Sequence, residues 1–121
     1  MIIGLAVELV DLERFARAED RFGERLRRRL FTDEERAASP RLESRAARFA
    51  AKVAARRALG MPPGGWQEVR ILGGGGRAPE LRFTGASERR ARELGVARTL
   101  LSLSHDAGAC VGHVVLDNGA G

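Results

Sequence analysis

The segment from residue 41 to residue 59 constrains the fold more than any other part of the chain. It is rich in alanine, ends at Gly60 before Pro62, and has the composition of a stable helix. Its basic side chains, at positions 41, 45, 48, 52 and 56, are separated by 4, 3, 4 and 4 residues and so share one face. The alanines occupy faces that allow a neighbouring element to approach closely. The pattern predicts a long helix with one basic face.

Short strands and further helices are predicted around this segment. Residues 2–10 are apolar and β-prone, and we expect a buried strand that carries one acid, Glu8. A helix should run from about Leu12 into the following basic stretch, and the Thr32 and Glu35 pair is a capping box that starts another. We expect strands at 68–72, 80–84, 100–104 and 110–116, a turn at 73–76, a helix at 87–95 and a polar loop at 105–108. Because strands and helices intermix without regular βαβ alternation, the predicted class is α+β, in a single domain over residues 1–121.

Composition excludes several classes of protein. Hydrophobic residues make up 44% and charged residues 31% of the chain, which are globular values. No apolar run approaches the roughly 20 residues that cross a bilayer, and the first residues lack the basic region of a signal peptide. Cys110 is the only cysteine, so no internal disulfide is expected, and no cluster suggests zinc. We therefore expect a cytoplasmic protein without membrane association.

The charge is concentrated in two segments. The chain has 21 basic and 16 acidic residues, a net charge of +5. Residues 14–29 hold seven arginines against three acids, a net +4, and residues 41–57 hold six basic residues against one acid, a net +5. Such segments predict an anionic partner, although a solvated basic face is the alternative for the helix at 41–59. Five Phe, one Trp and no Tyr leave little for base stacking, so a nucleic acid partner is not expected.

Two groups of polar residues are candidates for chemistry. A buried, unpaired carboxylate is costly, so Glu8 should meet a cation, a metal or a hydrogen-bond cluster, unless it reaches solvent at a strand end. Alternation along the strand at 100–104 places Ser102 and Ser104 on one face, and His105 with Asp106 follows them. This group could hold a phosphate and move a proton, or it could be an ordinary polar turn.

These features in order resemble the holo-acyl-carrier-protein synthases, the small trimeric 4′-phosphopantetheinyl transferases. The opening Ile2 to Phe15 is similar to the family's Ile-Gly-Ile-Asp-type strand and the helix start that follows it. The run Arg48-Phe-Ala-Ala-Lys-Val-Ala is similar to the family's Arg-Phe-Ala-Ala-Lys-Glu-Ala helix, and Ser102-Leu-Ser-His105 to its Ser-Leu-Ser-His strand end. The resemblance covers essentially the whole chain.

The resemblance implies a fold, an activity and a set of site residues. It implies an antiparallel sheet with packed helices, a homotrimer with sites between subunits, and transfer of 4′-phosphopantetheine from coenzyme A to a serine of an acidic acyl carrier protein. It implies Mg²⁺ on the pyrophosphate, bound by Glu8. The implied coenzyme A contacts are Arg48, Lys52, Arg57, Ser104 and His105; the implied catalytic residues are His105, Asp106 and Glu8; and the implied carrier-binding residues are Arg14, Arg21 and Arg25.

The chain departs from the family pattern at the metal. The family has an Asp where this chain has Glu8, and a Glu where it has Val53, which cannot coordinate a metal. Magnesium requires hard oxygen ligands but often keeps several waters, so a weakened site and an absent site are both open. One alternative is therefore a repurposed relative that performs metal-independent acid–base chemistry on a small biosynthetic intermediate. A second is a non-catalytic binding module.

Overall fold

The computed structural model describes residues 1–74 and 76–121 of the chain. Its strands are β1 (Ile2–Asp11), β2 (Val69–Gly74), β3 (Arg77–Phe83), β4 (Arg98–Asp106) and β5 (Ala109–Asp117). Its α-helices are α1 (Leu12–Phe22), α2 (Glu24–Leu30), α3 (Asp33–Ala38), α4 (Leu42–Ala58) and α5 (Gly85–Leu94), and a 3₁₀ helix spans Trp66–Glu68. None of the described helices combines the length and the apolar composition that a membrane crossing requires.

The strands form two antiparallel sheets. One has three strands in the order β1-β5-β4, and the other is the β2-β3 hairpin. In the first sheet Glu8 pairs with Gly112, which in turn pairs with Leu103. Since β5 lies in the middle, β1 and β4 form the two edges of this sheet. The mixed helix and antiparallel sheet architecture confirms the α+β prediction.

Helix α4 packs closely on one face of the three-stranded sheet. Its buried residues include six alanines: Ala46, Ala47, Ala50, Ala51, Ala54 and Ala55. Two positions of the sheet that face this helix are glycines, and neither has room for a side chain. A Cβ at Gly112 would lie 2.6 Å from the backbone nitrogen of Ala51. A Cβ at Gly4 would lie 2.8 Å from the carbonyl oxygen of Ala58. Small residues on both surfaces therefore allow the close contact that the alanine pattern predicts.

The basic helix predicted from Leu12 is interrupted in the structure. Gly23, with a φ of 59°, separates α1 from α2. Glycine adopts this backbone conformation without the steric cost that a Cβ brings, so the chain can turn here between two helices. The Thr32 and Glu35 capping box is confirmed, with both of its hydrogen bonds formed at the start of α3.

The other face of the three-stranded sheet is open, which corrects the prediction of a buried first strand. Leu5, Val7 and Leu9 on β1 are 64%, 47% and 60% exposed, and Leu100 on β4 is 50% exposed. Along one row of the register Leu5 pairs with Val115, which pairs with Leu100. The chain thus presents an apolar sheet surface to solvent.

The turns differ from prediction in extent. His105 and Asp106 belong to β4, so the β4–β5 turn consists of Ala107 and Gly108 rather than a four-residue loop. In the turn expected at 73–76, Gly73 and Gly74 are instead residues of strand β2. Position 75 of that turn lies outside the described residues.

Candidate active site

A cavity of about 730 Å³ lies between the first half of α4, the β2-β3 hairpin and the β4-β5 hairpin. Leu12, at the start of α1, also lines it. Its polar lining residues are Arg41, Glu43, Ser44, Arg48, Ser104, His105 and Asp106. Three residues implied by the resemblance from distant parts of the sequence, Arg48, Ser104 and His105, therefore share one cavity.

The end of β4 supplies the serine, histidine and aspartate of this cavity. Ser102 and Ser104 lie on the open face of the sheet, as alternation predicts, opposite His113 and Val111 of β5. His105 pairs with Cys110, whose side chain is completely buried, so the imidazole lies on the face that carries α4. Ser104, His105 and Asp106 are all exposed to solvent and can meet a ligand or a second protein.

Arg48, a residue of α4, lines the cavity. Its side chain is buried, and its Nη1 and Nη2 donate to the carbonyl oxygens of Ile71 and Gly73, the latter at 2.9 Å. Burial lowers the pKa of this guanidinium, while the charge of Glu35 opposes the shift. A cation held in place against β2 at the wall of a cavity is suited to stabilising a bound phosphate.

Lys52 occupies a different environment from the one expected for a coenzyme A contact. Its side chain has 0% relative exposure, and its Nζ donates to Glu35 Oε1 at 2.6 Å and to the Trp66 carbonyl oxygen at 2.9 Å. Burial lowers the pKa of this ammonium and the Glu35 carboxylate opposes the shift. Because Lys52 is enclosed and paired, its placement does not support the predicted phosphate contact, and it acts here as an interior ion pair.

The basic face of α4 is mostly interior, which corrects both interpretations left open from the sequence. Arg45 makes a two-pronged ion pair with Glu19 of α1, with both N–O distances 2.7 Å. Arg56 donates to the Pro62 carbonyl oxygen and to Ser87 Oγ. The face is therefore neither a continuous polyanion surface nor a solvated one; Arg41 remains exposed at its N-terminal end.

Glu8 meets a cation, which is one of the three kinds of partner that its sequence context predicts. Its Oε2 accepts a hydrogen bond from Arg57 Nη1 at 2.7 Å, and the same nitrogen donates to the Val7 carbonyl oxygen at 3.3 Å. The Glu8 side chain is half-buried, whereas the Arg57 side chain is 59% exposed. This pair joins β1 to the C-terminal half of α4.

The donor set around Glu8 does not fit a bound Mg²⁺ ion. The Glu8 carboxylate is already neutralised by Arg57, and Val53 offers no oxygen. Asp11, the last residue of β1, accepts from the backbone nitrogen of Arg14 and caps α1. In the two ranges 1–74 and 76–121, no group of three or more His, Cys, Asp or Glu residues is placed to hold a metal ion.

The Glu8–Arg57 pair and the cavity lie toward opposite edges of the three-stranded sheet. The pair is on β1, whereas Ser104 and His105 are on β4, with β5 between them. Among the described residues that line the cavity, neither Glu8 nor Arg57 occurs. Within one chain, therefore, Arg48, Ser104 and His105 lie together, whereas Glu8 and Arg57 lie apart from them.

A basic surface covers the exposed sides of α1 and α2. Arg14, Arg21 and Arg25, the residues implied to bind the carrier protein, are all exposed. The Arg21 guanidinium lies 5.3 Å from the centroid of the Phe22 ring, and Phe22 is itself 54% exposed. Phe22 is not among the site residues predicted from the sequence; α1 ends at this residue, directly before Gly23.

Two further cavity residues, Arg41 and Ser44, are not among the site residues that the resemblance implies. Ser44 precedes Arg48 by four residues on α4, and Arg41 is the residue that precedes the helix. The spacing from Ser44 to Arg48 was a usable signal, since residues four apart share a helix face.

Comparison with known proteins gives one consistent result. No protein-family model matches the chain. The holo-[acyl-carrier-protein] synthase of Kocuria rhizophila is 45% identical over 118 residues, which cover 97% of this chain and 94% of the relative. The crystal structure of holo-[acyl-carrier-protein] synthase from Neisseria meningitidis has a TM-score of 0.85 at 30% identity, covering 97% and 99% of the two chains.

A synthase structure from Bacillus anthracis, in complex with CoA (3′,5′-ADP), has a TM-score of 0.74 at 27% identity and covers 96% of each chain. Both the sequence and the fold thus match nearly from end to end, including the β4 end and the α4 helix that form the cavity. The chain belongs to the holo-[acyl-carrier-protein] synthase family.

Proposed function

We propose that the protein transfers 4′-phosphopantetheine from coenzyme A to a serine hydroxyl of an acyl carrier protein. The observation that carries the proposal is the shared cavity of Arg48, Ser104 and His105, in a chain whose relatives are named for this reaction. A solved relative in complex with CoA supports coenzyme A as the substrate. The cavity is large enough for a substantial part of such a ligand.

The reaction exchanges one P–O bond for another. The carrier serine oxygen attacks the phosphorus that bears the pantetheine group, and the bond from this phosphorus to the bridging oxygen breaks. Adenosine 3′,5′-bisphosphate leaves with the bond electrons. Such transfers depend mainly on positioning and charge stabilisation, so few side chains need to react covalently.

The residues of the cavity fit separate tasks in this reaction. Arg48 offers positive charge next to the pyrophosphate, and the Ser104 hydroxyl can donate a hydrogen bond to a phosphate oxygen. His105, at the end of β4, would accept the proton of the carrier serine, and the negative charge of the neighbouring residue Asp106 would favour the imidazolium that forms. Lys52 contributes indirectly, because its ion pair with Glu35 joins α4 to α3.

The basic surface on α1 and α2 suits an acidic carrier protein. Arg14, Arg21 and Arg25 are exposed, and the exposed Phe22 ring lies beside the Arg21 guanidinium. Opposite charge speeds the encounter of two proteins and fixes their orientation, and an exposed aromatic ring supplies contact area. Leu12, at the start of α1, lines the cavity, so a protein docked on this helix can present its serine there.

We further propose a homotrimer. The open face of the sheet is apolar along Leu5 and Leu100 at its two edges, and such a surface is unfavourable in water. The Glu8–Arg57 pair and the His105 cavity lie toward opposite edges, so only two different copies can bring them together. An interface between unlike surfaces generates a closed ring when the rotation is suitable, and three copies form the smallest such ring.

The Leu5→Asp substitution is expected to dissociate the trimer. A carboxylate at a 64% exposed position costs a single chain little, but at a buried interface it would be desolvated without a partner. Sedimentation velocity should then give the mass of one chain, and transfer should fall because the two halves of each site separate. Arg89→Asp on the exposed side of α5 is the matched control and should remain trimeric. A Leu5→Asp protein that sediments like the wild type would contradict the proposed interface.

The proposed activity is tested by intact-mass spectrometry. Apo acyl carrier protein is incubated with coenzyme A, with Mg²⁺, and with or without this protein. We expect a mass gain of one phosphopantetheine group only in the sample that contains the protein. No gain with several carrier proteins, beside an active family member as control, would favour the alternative of a repurposed relative that acts on a small molecule.

We place the activity in the cytoplasm, where the free Cys110 thiol stays reduced.

A further inference from the structure

We infer that Arg57, held by Glu8, replaces the divalent cation in this chain, so that phosphopantetheine transfer proceeds without a metal ion. The inference rests on the proposed function and concerns the source of positive charge at the β1 edge of the site. Val53 stands where the family has a metal-binding Glu, and the contacts of Glu8 and Arg57 indicate which cation takes the place of the metal ion.

The contacts of Arg57 fix its position and leave some of its N–H donors available for further hydrogen bonds. One nitrogen, Nη1, makes both contacts, to Glu8 Oε2 at 2.7 Å and to the Val7 carbonyl oxygen at 3.3 Å. The hydrogen bonds found within residues 1–74 and 76–121 do not use its Nε or Nη2. Since the side chain is 59% exposed, these remaining donors are accessible to a ligand. Glu8 is thus a positioning residue, which orients the guanidinium from β1.

The charges around Glu8 favour the guanidinium over a metal ion. A cation bound to the Glu8 carboxylate would have to displace Arg57, and would then lie next to its positive charge. Val53, one helical turn before Arg57 on α4, removes the oxygen ligand that would offset this repulsion. Magnesium requires oxygen ligands in near-octahedral geometry, which a single ion-paired carboxylate does not provide.

A guanidinium can perform the electrostatic part of the reaction. It carries a permanent positive charge and a planar set of donors that matches two phosphate oxygens at once. As the bond from phosphorus to the bridging oxygen breaks, negative charge grows on the departing bisphosphate. Nε and Nη2 of Arg57 can stabilise this charge, while the serine proton passes to His105 of the adjacent copy. No oxidant or reductant is needed, and each bond broken is matched by one formed.

The test compares transfer with and without divalent cations, and uses matched variants. Wild-type protein freed of metal and assayed in EDTA is expected to keep its rate within about threefold of that in Mg²⁺. Arg57→Ala is expected to lose about 10²–10³-fold in kcat, as when an oxyanion donor is removed. Arg89→Ala, which also removes one exposed arginine from a helix, should match the wild type. Arg57→Lys, which keeps the charge but loses the planar donors, should be intermediate.

A second readout does not depend on activity. Mn²⁺ binding followed by electron paramagnetic resonance, in the presence of coenzyme A, should show no additional site in the wild type over coenzyme A alone. The Val53→Glu/Arg57→Ala protein should gain one site, together with metal-dependent transfer, because it has two carboxylates and no competing guanidinium.

The outcomes separate this inference from the proposed function. Transfer that requires Mg²⁺ and stops in EDTA, or a Mn²⁺ site in the wild type that the Glu8→Ala change removes, would overturn the inference while leaving the transferase activity intact. Absence of transfer under both conditions would overturn the proposed function, and the inference with it.

Discussion

Replacing His105 by alanine is expected to lower kcat for phosphopantetheine transfer about 10²–10⁴-fold, the usual contribution of a positioned general base. The imidazole lines the cavity at the end of β4, where Asp106 follows it in the chain. Without it, the carrier serine must lose its proton to water. The rate is measured by intact-mass detection of the carrier protein, with coenzyme A at saturating concentration.

The thermal stability of this variant is the control for an effect on folding. Because His105 is exposed, its replacement should not disturb the fold. The thermal unfolding midpoint of His105→Ala should match that of the wild type. His105→Gln, which keeps hydrogen bonding without accepting a proton, should be as slow as the alanine variant. Wild-type kcat in either variant would show that another group accepts the proton.

The Lys52→Met substitution is expected to reduce the free energy of unfolding by about 3–5 kcal/mol, the typical cost of removing one partner of a buried ion pair. The Lys52 and Glu35 side chains are 0% and 2% exposed, so the remaining carboxylate would be left in the interior without its cation. Methionine has nearly the same length as lysine, so packing changes little. Urea denaturation followed by circular dichroism measures the loss.

A double variant distinguishes a lost ion pair from a general packing defect. Glu35 also accepts from the backbone nitrogen of Ile71 at 3.0 Å, and a glutamine oxygen can still accept that bond. The Lys52→Met/Glu35→Gln protein should therefore be more stable than Lys52→Met alone. A double variant that loses the sum of the two single effects would contradict the role given to this pair.

The α4 helix shows what periodicity can and cannot predict. Spacing and alanine content correctly predicted the helix and its shared basic face. They did not predict that Arg45 and Lys52 point into the protein, since the acids that neutralise them come from distant segments, Glu19 on α1 and Glu35 on α3. A pattern within one segment contains no information about the segment that will pack against it.

The first strand shows a second limit. Its apolar run predicted a buried strand, but Leu5, Val7 and Leu9 are exposed in a single chain. The proposed trimer would cover this face, and the apolar run would then correspond to burial in the assembly rather than in one chain. By contrast, the cost of a buried charge alone predicted that Glu8 meets a cation, a metal or a hydrogen-bond cluster, and Arg57 is that partner.

Mixing two inactive variants tests most directly whether one site is built from two copies. Arg57→Ala and His105→Ala chains are co-expressed so that mixed trimers form. A site is intact when one copy supplies Arg57 and its neighbour supplies His105, which random assembly achieves in about one quarter of sites. We therefore expect about one quarter of wild-type transfer activity from the mixture, and almost none from either variant alone. A mixture as inactive as its parents would contradict a site shared between copies of this chain.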